Sequence, residues 1–340
     1  MIKNQIVTGI MSYGMSGRVF HAPFIDIHPG FKLKGIVERS QKLAQENYSD
    51  IISYNSVNEL IDDPEIELVV VNTPNDTHVD FAAKALRAGK HVLIEKPFAP
   101  TLRESNYLFE LAKEVNKVIL PFHNRRFDSD FLSLKEILTQ NLVGKPIELH
   151  IRFDRFKPEI GKKLFKESNR PASGILFDLG SHLLDQVISI FGRPKAISKI
   201  SGKYRENSEV DDYGTIVMNY SNGLNVFLTV SLLVADPQAS FVLHGDNGSF
   251  IKARTDVQEA QLIQGILPNS PEYGIEKIGS EGILSTKGKD DQFFKQKVLS
   301  QRGDYMELFN AVYETLRNDK PYFVTKDHIN WQLEILEPAK

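Results

Sequence analysis

The first 120 residues alternate short apolar runs with amphipathic stretches, and this rhythm restricts the possible folds more than any other feature of the chain. Strand-like runs fall at 5–11, 31–37, 68–72, 91–94 and 118–121, separated by helix-like stretches at 18–27, 41–48, 56–62, 77–88 and 101–116. In one of these stretches Val79, Ala82, Ala83 and Leu86 recur at helical spacing, and Gly89 follows as a stop. Strand, crossover helix and strand, repeated, build a parallel doubly wound sheet, because parallel neighbours cannot be joined by tight turns.

After Pro121 the pattern changes. Strand-like segments at 147–153, 196–203, 213–220, 224–233, 240–245 and 248–251 follow one another with fewer helices between. Asn222-Gly223 and Asn247-Gly248 read as hairpin turns, since both residue types accept positive φ at low cost. This half therefore predicts an α+β domain on an open, mostly antiparallel sheet. The Gly-, Pro-, Ser- and charge-rich stretch at 267–292 reads as a long irregular loop, and helices near 305–317 and 328–336 close the chain.

The first strand runs into "SYGMSGRVF", residues 12–20, where a turn containing Gly14 and Gly17 precedes a helix start. In a dinucleotide fingerprint such glycines admit the pyrophosphate close to the backbone, and the helix N-terminus offers free N–H groups to it. Ser12, Gly14, Met15, Ser16 and Gly17 are thus candidate cofactor-binding residues, with Ser12 standing where the first glycine belongs. About twenty residues on, Glu38, Arg39 and Ser40 follow the second strand. A carboxylate there suits the ribose of NAD, whereas a guanidinium beside a hydroxyl suits the 2′-phosphate of NADP; the pair tips toward NADP and leaves NAD open. With 340 residues, more than one core usually serves, two domains are expected. Residues 1–122 would be the dinucleotide-binding Rossmann domain and 123–340 the substrate-binding and oligomerisation domain, the terminal helices packing back on the first.

Between Pro171 and Gly192 there is no Lys, Arg or Glu, and Asp178, His182, Asp185 and Ser189 fall on one helical stripe opposite a broad apolar arc. Such a stripe faces a cleft better than bulk water. Asp178 one turn before His182 would fix the imidazole tautomer and raise its basicity, as a general base requires; a shared metal ion is the rival, weakened by the absence of Cys or a second nearby His. Glu95, Lys96 and Pro97 follow an apolar strand at the carboxyl end of the parallel sheet, where ligands bind. A Lys there can donate to a substrate oxygen, and Pro97 can take a cis peptide.

These segments, together with "NTPNDTH" (72–78) and "HNRRFDSDF" (123–131), resemble the Gfo/Idh/MocA family of nicotinamide-dependent oxidoreductases over nearly the whole chain. "GMSGRVFHAPF" (14–24), "HNRRFDSDF" and "DLGSHLLDQ" (178–186) look most like the branch that contains the NADP-dependent scyllo-inositol 2-dehydrogenases. The resemblance implies catalytic roles for Lys96, Asp178 and His182. It places Thr73, Pro74 and Glu95 near the cofactor and Asn124 at the active site. His78 is a further cofactor candidate and Asp185 a substrate candidate, while Arg125 and Arg126 would take either a phosphate or carboxylate of the substrate or, by default, surface ion pairs. The expected reaction is hydride transfer between the cofactor and a secondary alcohol of a sugar or polyol, with no metal. A non-catalytic dinucleotide sensor, and a reductase of another carbonyl or an imine, remain as alternatives.

Bulk composition bounds the rest. A net charge of −3 disfavours nucleic acid, and zero cysteines exclude disulfides and thiolate chemistry. The beginning of the sequence lacks a signal-peptide order and no apolar run is long enough for a bilayer, so a soluble cytoplasmic protein is expected. An antiparallel sheet covered on one face would leave apolar area to bury in a homodimer or homotetramer.

Overall fold

A computed structural model provides the fold and describes residues 4–161, 167–288, 290 and 292–337. The chain divides into two compact units. The first holds the chain up to Asn124 together with Gln258–Tyr273 and Tyr305–Asn330; the second holds Arg125–Val257, Gly274–Asp304 and the chain from Trp331.

The first unit is built on β1 (Ile6–Ile10), β2 (Phe31–Val37), β3 (Ile52–Tyr54), β4 (Leu68–Val71), β5 (His91–Ile94) and β6 (Ile119–Pro121). They form one parallel sheet in the order β3-β2-β1-β4-β5-β6. The order reverses between β1 and β4, so a crevice opens at the carboxyl ends of these two strands. All four side chains of β4 are buried, as its unbroken Leu-Val-Val-Val run requires of a strand covered on both faces. Ser56 and Thr101 each cap a helix by accepting from the backbone N–H three residues on, at 3.2 Å in both cases.

The second unit carries β7 (Pro146–Asp154), β8 (Ala196–Gly202), β9 (Tyr213–Asn219), β10 (Asn225–Ser231), β11 (Phe241–Gly245), β12 (Gly248–Lys252), β13 (Gly282–Lys287) and β14 (Phe293–Val298). Their order is β14-β13-β12-β11-β7-β10-β9-β8, antiparallel except between β7 and β10. Gly223, at φ 93°, turns the β9–β10 hairpin as the Asn-Gly pair predicts. Helices Ser129–Thr139 and Ser181–Phe191 cover one face, and Leu149, Ile151 and Phe153 of β7 share a core with Leu183, Leu184 and Val187 of the second helix.

Two expectations need correction. Part of the stretch read as an irregular loop at 267–292 is a strand: β13 lies within it and pairs with β14, which extends the sheet, while 267–281 is turns and irregular backbone. Its Lys295 and Lys297 gave that edge strand a loop-like polarity, a common way of discouraging edge-to-edge pairing. Positions 289 and 291 of that stretch lie outside the described residues. The helix expected through 173–192 is also not uniform: Leu176–Gly180 winds as a π turn before Ser181–Phe191 continues as α-helix. Asp178 and His182 therefore do not stand in simple α-helical register.

Candidate functional site

In the first unit the chain leaves β1 through Ser12–Ser16 and enters a helical run whose first residues, Gly17–His21, also form a π turn. Gly17 is sterically required, because a Cβ there would lie 2.1 Å from the Ser12 carbonyl oxygen. That carbonyl is held by Asn72 at the end of β4, whose Nδ2 donates to it at 2.9 Å. Gly14 differs: the nearest atom to an added Cβ would be Ser12 Oγ, 3.6 Å away. Nothing inside the unit crowds position 14, so glycine there leaves the backbone open to approach from outside. Ser12 Oγ accepts from Gly14 N at 3.3 Å, closing the turn where the first fingerprint glycine is missing. Met15 is exposed beside it.

Glu95, directly after β5, joins this turn to the far side of the crevice. Its Oε1 accepts from Ser16 Oγ at 2.6 Å and faces His21 Nε2 at 2.9 Å, while Oε2 accepts from Lys96 N at 3.1 Å. Burial alone would raise the Glu95 carboxyl; the His21 ring, the Ser16 hydroxyl and the Lys96 charge more than reverse this and bring it to about 2. Glu95 is thus a firmly ionised acceptor. His21 escaped the sequence reading because a single histidine in the apolar segment Val19–Phe24 looks like core, and its ring does pack on Phe122 at 4.4 Å between centroids. Lys96 follows, with a cis peptide to Pro97.

His78 is fully buried and spans two turns, Nδ1 facing Pro97 O and Nε2 facing Thr73 O, both at 2.9 Å. Burial holds its pKa below the ordinary value, while two carbonyl acceptors pull the ring toward carrying both protons. Its work in the unit is to hold the Thr73-Pro74 turn against the Lys96-Pro97 turn. Thr73 is further fixed by a 2.7 Å hydroxyl contact with Thr77.

A pocket of about 410 Å³ at the ends of β1 and β2 is lined by Ser12, Tyr13, Glu38, Arg39, Ser40, Thr73 and Pro74, among others. Glu38 is buried there and turned inward. Its Oε1 accepts from Leu43 N at 2.8 Å and Ala44 N at 3.0 Å, and its Oε2 from Ser53 Oγ at 2.7 Å. Arg39 and Ser40 are exposed. The two residues that pulled in opposite directions in the sequence thus have different environments: the acid serves the fold and the guanidinium lines the pocket. A glycine turn with an open Gly14, a helical run starting at Gly17 and this pocket together fit a dinucleotide.

The second unit presents Asp178 and His182. Gly174 enters the π turn at φ 90°, where a Cβ would lie 2.0 Å from Asp211 Oδ1. Asp211 then caps the run, Oδ2 accepting from Leu176 N at 2.9 Å. Asp178 is half-buried and His182 buried. Asp185 is buried, and both of its oxygens are engaged: Arg126 Nε and Nη2 donate to it at 2.7 and 2.8 Å, and Gln332 Nε2 at 3.0 Å. This fork anchors the helix, and Arg126 is an internal partner rather than a surface one. Gln186 Nε2 adds a bond to Arg125 O at 2.8 Å. Arg125 itself reaches Asp128 at 3.4 Å. Asn124, at the end of the first unit's leading segment, is buried. Among the described residues no group of three His, Asp or Glu side chains is placed to hold a metal, and no helix is long and apolar enough to cross a membrane.

Two measurements follow from these networks. The folded chain binds a proton at Glu95 less tightly than the unfolded chain, since its carboxyl lies at about 2 instead of 4.5. Its stabilising contribution, roughly 3 kcal/mol at about 1.4 kcal/mol per pH unit, is complete above pH 4.5 and is lost as pH falls toward 2. Urea unfolding between about pH 2 and 4.5 should therefore show a weaker pH dependence for Glu95→Gln; an identical slope would remove Glu95 as its source. Asp185→Asn leaves a buried guanidinium without its countercharge and should cost about 3–5 kcal/mol in denaturant unfolding. A small stability loss with a large change in substrate KM would instead mark Asp185 as a substrate contact.

Comparison with known proteins agrees with this architecture. Residues 6–123 match the oxidoreductase family with NAD-binding Rossmann fold, and residues 131–251 match the GFO/IDH/MocA C-terminal domain. The chain is 33% identical over 336 residues to the uncharacterized oxidoreductase YdgJ of Escherichia coli, covering 99% of this chain and 96% of that protein. It is 31% identical over 337 residues to the scyllo-inositol 2-dehydrogenase (NADP(+)) IolW of Bacillus subtilis, covering 99% and 93%. The crystal structure of an oxidoreductase from Bacillus cereus superposes with a TM-score of 0.90 at 31% identity, covering 98% of this chain and 95% of that one. The chain belongs to the Gfo/Idh/MocA family and is an oxidoreductase that uses a nicotinamide cofactor.

Proposed function

We propose that the protein transfers hydride between NADP, in preference to NAD, and a secondary alcohol of a sugar or cyclic polyol. The observation that carries this reading is the Glu95 constellation. It ties Ser16 of the glycine turn to the backbone of Lys96, so an ammonium-bearing side chain starts beside the turn suited to a dinucleotide. The name of the Bacillus subtilis relative, a scyllo-inositol dehydrogenase that uses NADP(+), supports both the polyol and the cofactor.

Gly14, Met15, Ser16 and Gly17 would hold the pyrophosphate, and Arg39 and Ser40, in the pocket that Thr73 and Pro74 also line, would take a 2′-phosphate. Glu38 is spent on Leu43, Ala44 and Ser53, which supports NADP over NAD. When bound, the cofactor accepts the hydride of the carbinol carbon or returns it to the carbonyl. His182 takes the hydroxyl proton as that hydride leaves, and gives it back in reduction. Lys96 donates a hydrogen bond to a substrate oxygen and stabilises developing alkoxide. Asp178 holds a neighbouring hydroxyl and orients the imidazole, and Asn124 offers an amide to the substrate.

Spectrophotometric screening of inositols and aldoses with both cofactors tests this reading. Turnover should appear with polyols, and Lys96→Ala should lower kcat by roughly 10²-fold or more with cofactor binding retained. His182→Ala should also flatten the pH–rate profile. Turnover of imines or unrelated carbonyls alone would move the protein to another reaction, and full activity in Lys96→Ala would end the role given to that residue. For the cofactor, Arg39→Ala should raise the KM for NADPH about tenfold or more and leave NADH nearly unchanged, a loss of about 1.4 kcal/mol or more from a charge-assisted contact. Equal effects on both cofactors would overturn the assignment to the 2′-phosphate.

A further inference from the structure

The inner face of the second unit's sheet ends in a group of guanidinium groups that the proposed reaction does not use. Phe153 of β7, Val230 of β10 and Gly214 of β9 form one row across three neighbouring strands. Leu176 lies on Gly214, close enough that a Cβ there would sit 2.5 Å from it. The π turn that carries Asp178 therefore stands over one end of this row, two strand spacings or roughly 10 Å from Phe153. That distance is comparable with the length of a six-carbon polyol bearing an acid group.

Around the Phe153 ring gather Arg254, Arg155 and Arg125, their guanidinium carbons 4.2, 5.1 and 5.2 Å from its centroid. Arg125 and Arg254 share the buried Asp128, at 3.4 and 3.7 Å. Burial and the neighbouring Asp256 push the Asp128 carboxyl well above its usual range, so it is a weak countercharge for two cations. Two further acids nearby accept from backbone, Asp130 from Thr255 N and Asp256 N, and Asp256 from Ser129 N, and both also favour the charge of Arg254. Arg155 is half-buried, and its backbone is pinned by Ser231 O and Val234 N. Among the described residues its guanidinium makes the ring contact and no ion pair. Gln186, one turn after His182, bonds the backbone of Arg125, so this cationic edge adjoins the helix that carries His182.

We infer that Arg155, flanked by Arg125 and Arg254, receives an anionic oxygen group of the substrate. The polyol or sugar is then an acid or a phosphate ester rather than a neutral molecule. This rests on the proposed reading of Asp178 and His182. A planar guanidinium stacked on an aromatic ring keeps its N–H fork available to a carboxylate or phosphate, and Arg155 is the member of the group for which no ion pair is seen among the described residues.

Calorimetric titration and steady-state kinetics with glucose, glucuronate and glucose 6-phosphate, on the full-length protein and on Arg155→Gln and Arg155→Lys, test the inference. At low salt at least one anionic sugar should bind about tenfold or more tightly than glucose. Arg155→Gln should abolish that preference through KM rather than kcat, and Arg155→Lys should restore part of it. Glucuronate alone would mark a carboxylate site, and glucose 6-phosphate alone a phosphate site. Arg155-dependent binding without turnover would support the anion site and remove the reaction proposed above. Equal binding of all three sugars, or a preference unchanged in a folded Arg155→Gln, would overturn the inference.

Discussion

Glu95 stands where two segments distant in sequence have to meet, the end of β5 and the turn after β1, and its two oxygens determine how they do so. The glycine turn arrives through Ser16, the π turn through His21, and the strand's own continuation through Lys96 N. A carboxylate in such a place is expensive to desolvate. An apolar residue of equal size would cost less to bury, yet it would have no direction and would let the turns slide. The depressed carboxyl, at about 2, shows that the donors outweigh the burial. What the arrangement secures is orientation: the residues flanking the crevice are fixed by hydrogen bonds, and Lys96 leaves the strand from a defined backbone.

The second unit solves the same problem with other acids. Asp211 caps the π turn at Leu176 N, and Asp185 takes the Arg126 fork and the Gln332 amide. In both units the segment singled out for chemistry begins with a π turn, at Gly17–His21 and Leu176–Gly180. The i→i+5 pattern inserts a residue into the helical repeat and re-aims the side chains beyond it, a geometry common at functional sites. It holds only when the surroundings brace it, here through Gly174, Asp211 and the row beneath Leu176.

The parallel sheet was legible because β4 is uniformly apolar and the helices after it keep a clean period. β3, at three residues, was too short to stand out, and β14 hid its strand behind lysines. Within the site, position in the pattern announced the glycine turn, Glu95 and Lys96. Orientation stayed hidden. Nothing in Glu38-Arg39-Ser40 states that the carboxylate folds inward, because that depends on the Leu43 and Ala44 amides and on Ser53 reaching it from another strand. His21 stayed hidden for the opposite reason: its partner is 74 residues away and its own neighbours are apolar. The α-helical stripe through Asp178 and His182 could not reveal a π turn, since periodicity assumes the very repeat that the turn interrupts.

The acids and the arginines of this chain also divide the labour. Its net charge is −3, so carboxylates are not scarce. Glu38, Asp185, Asp211 and Glu95 are nevertheless all turned onto internal donors. Arg39 at the first unit's pocket and Arg155 at the second unit's sheet end are left facing outward or onto an aromatic ring. On the proposed reading, sites for anions arise here by withholding a carboxylate from a cation, not by piling up positive charge. On that reading two local points stay ready to bind phosphate or carboxylate in a chain whose net charge is −3.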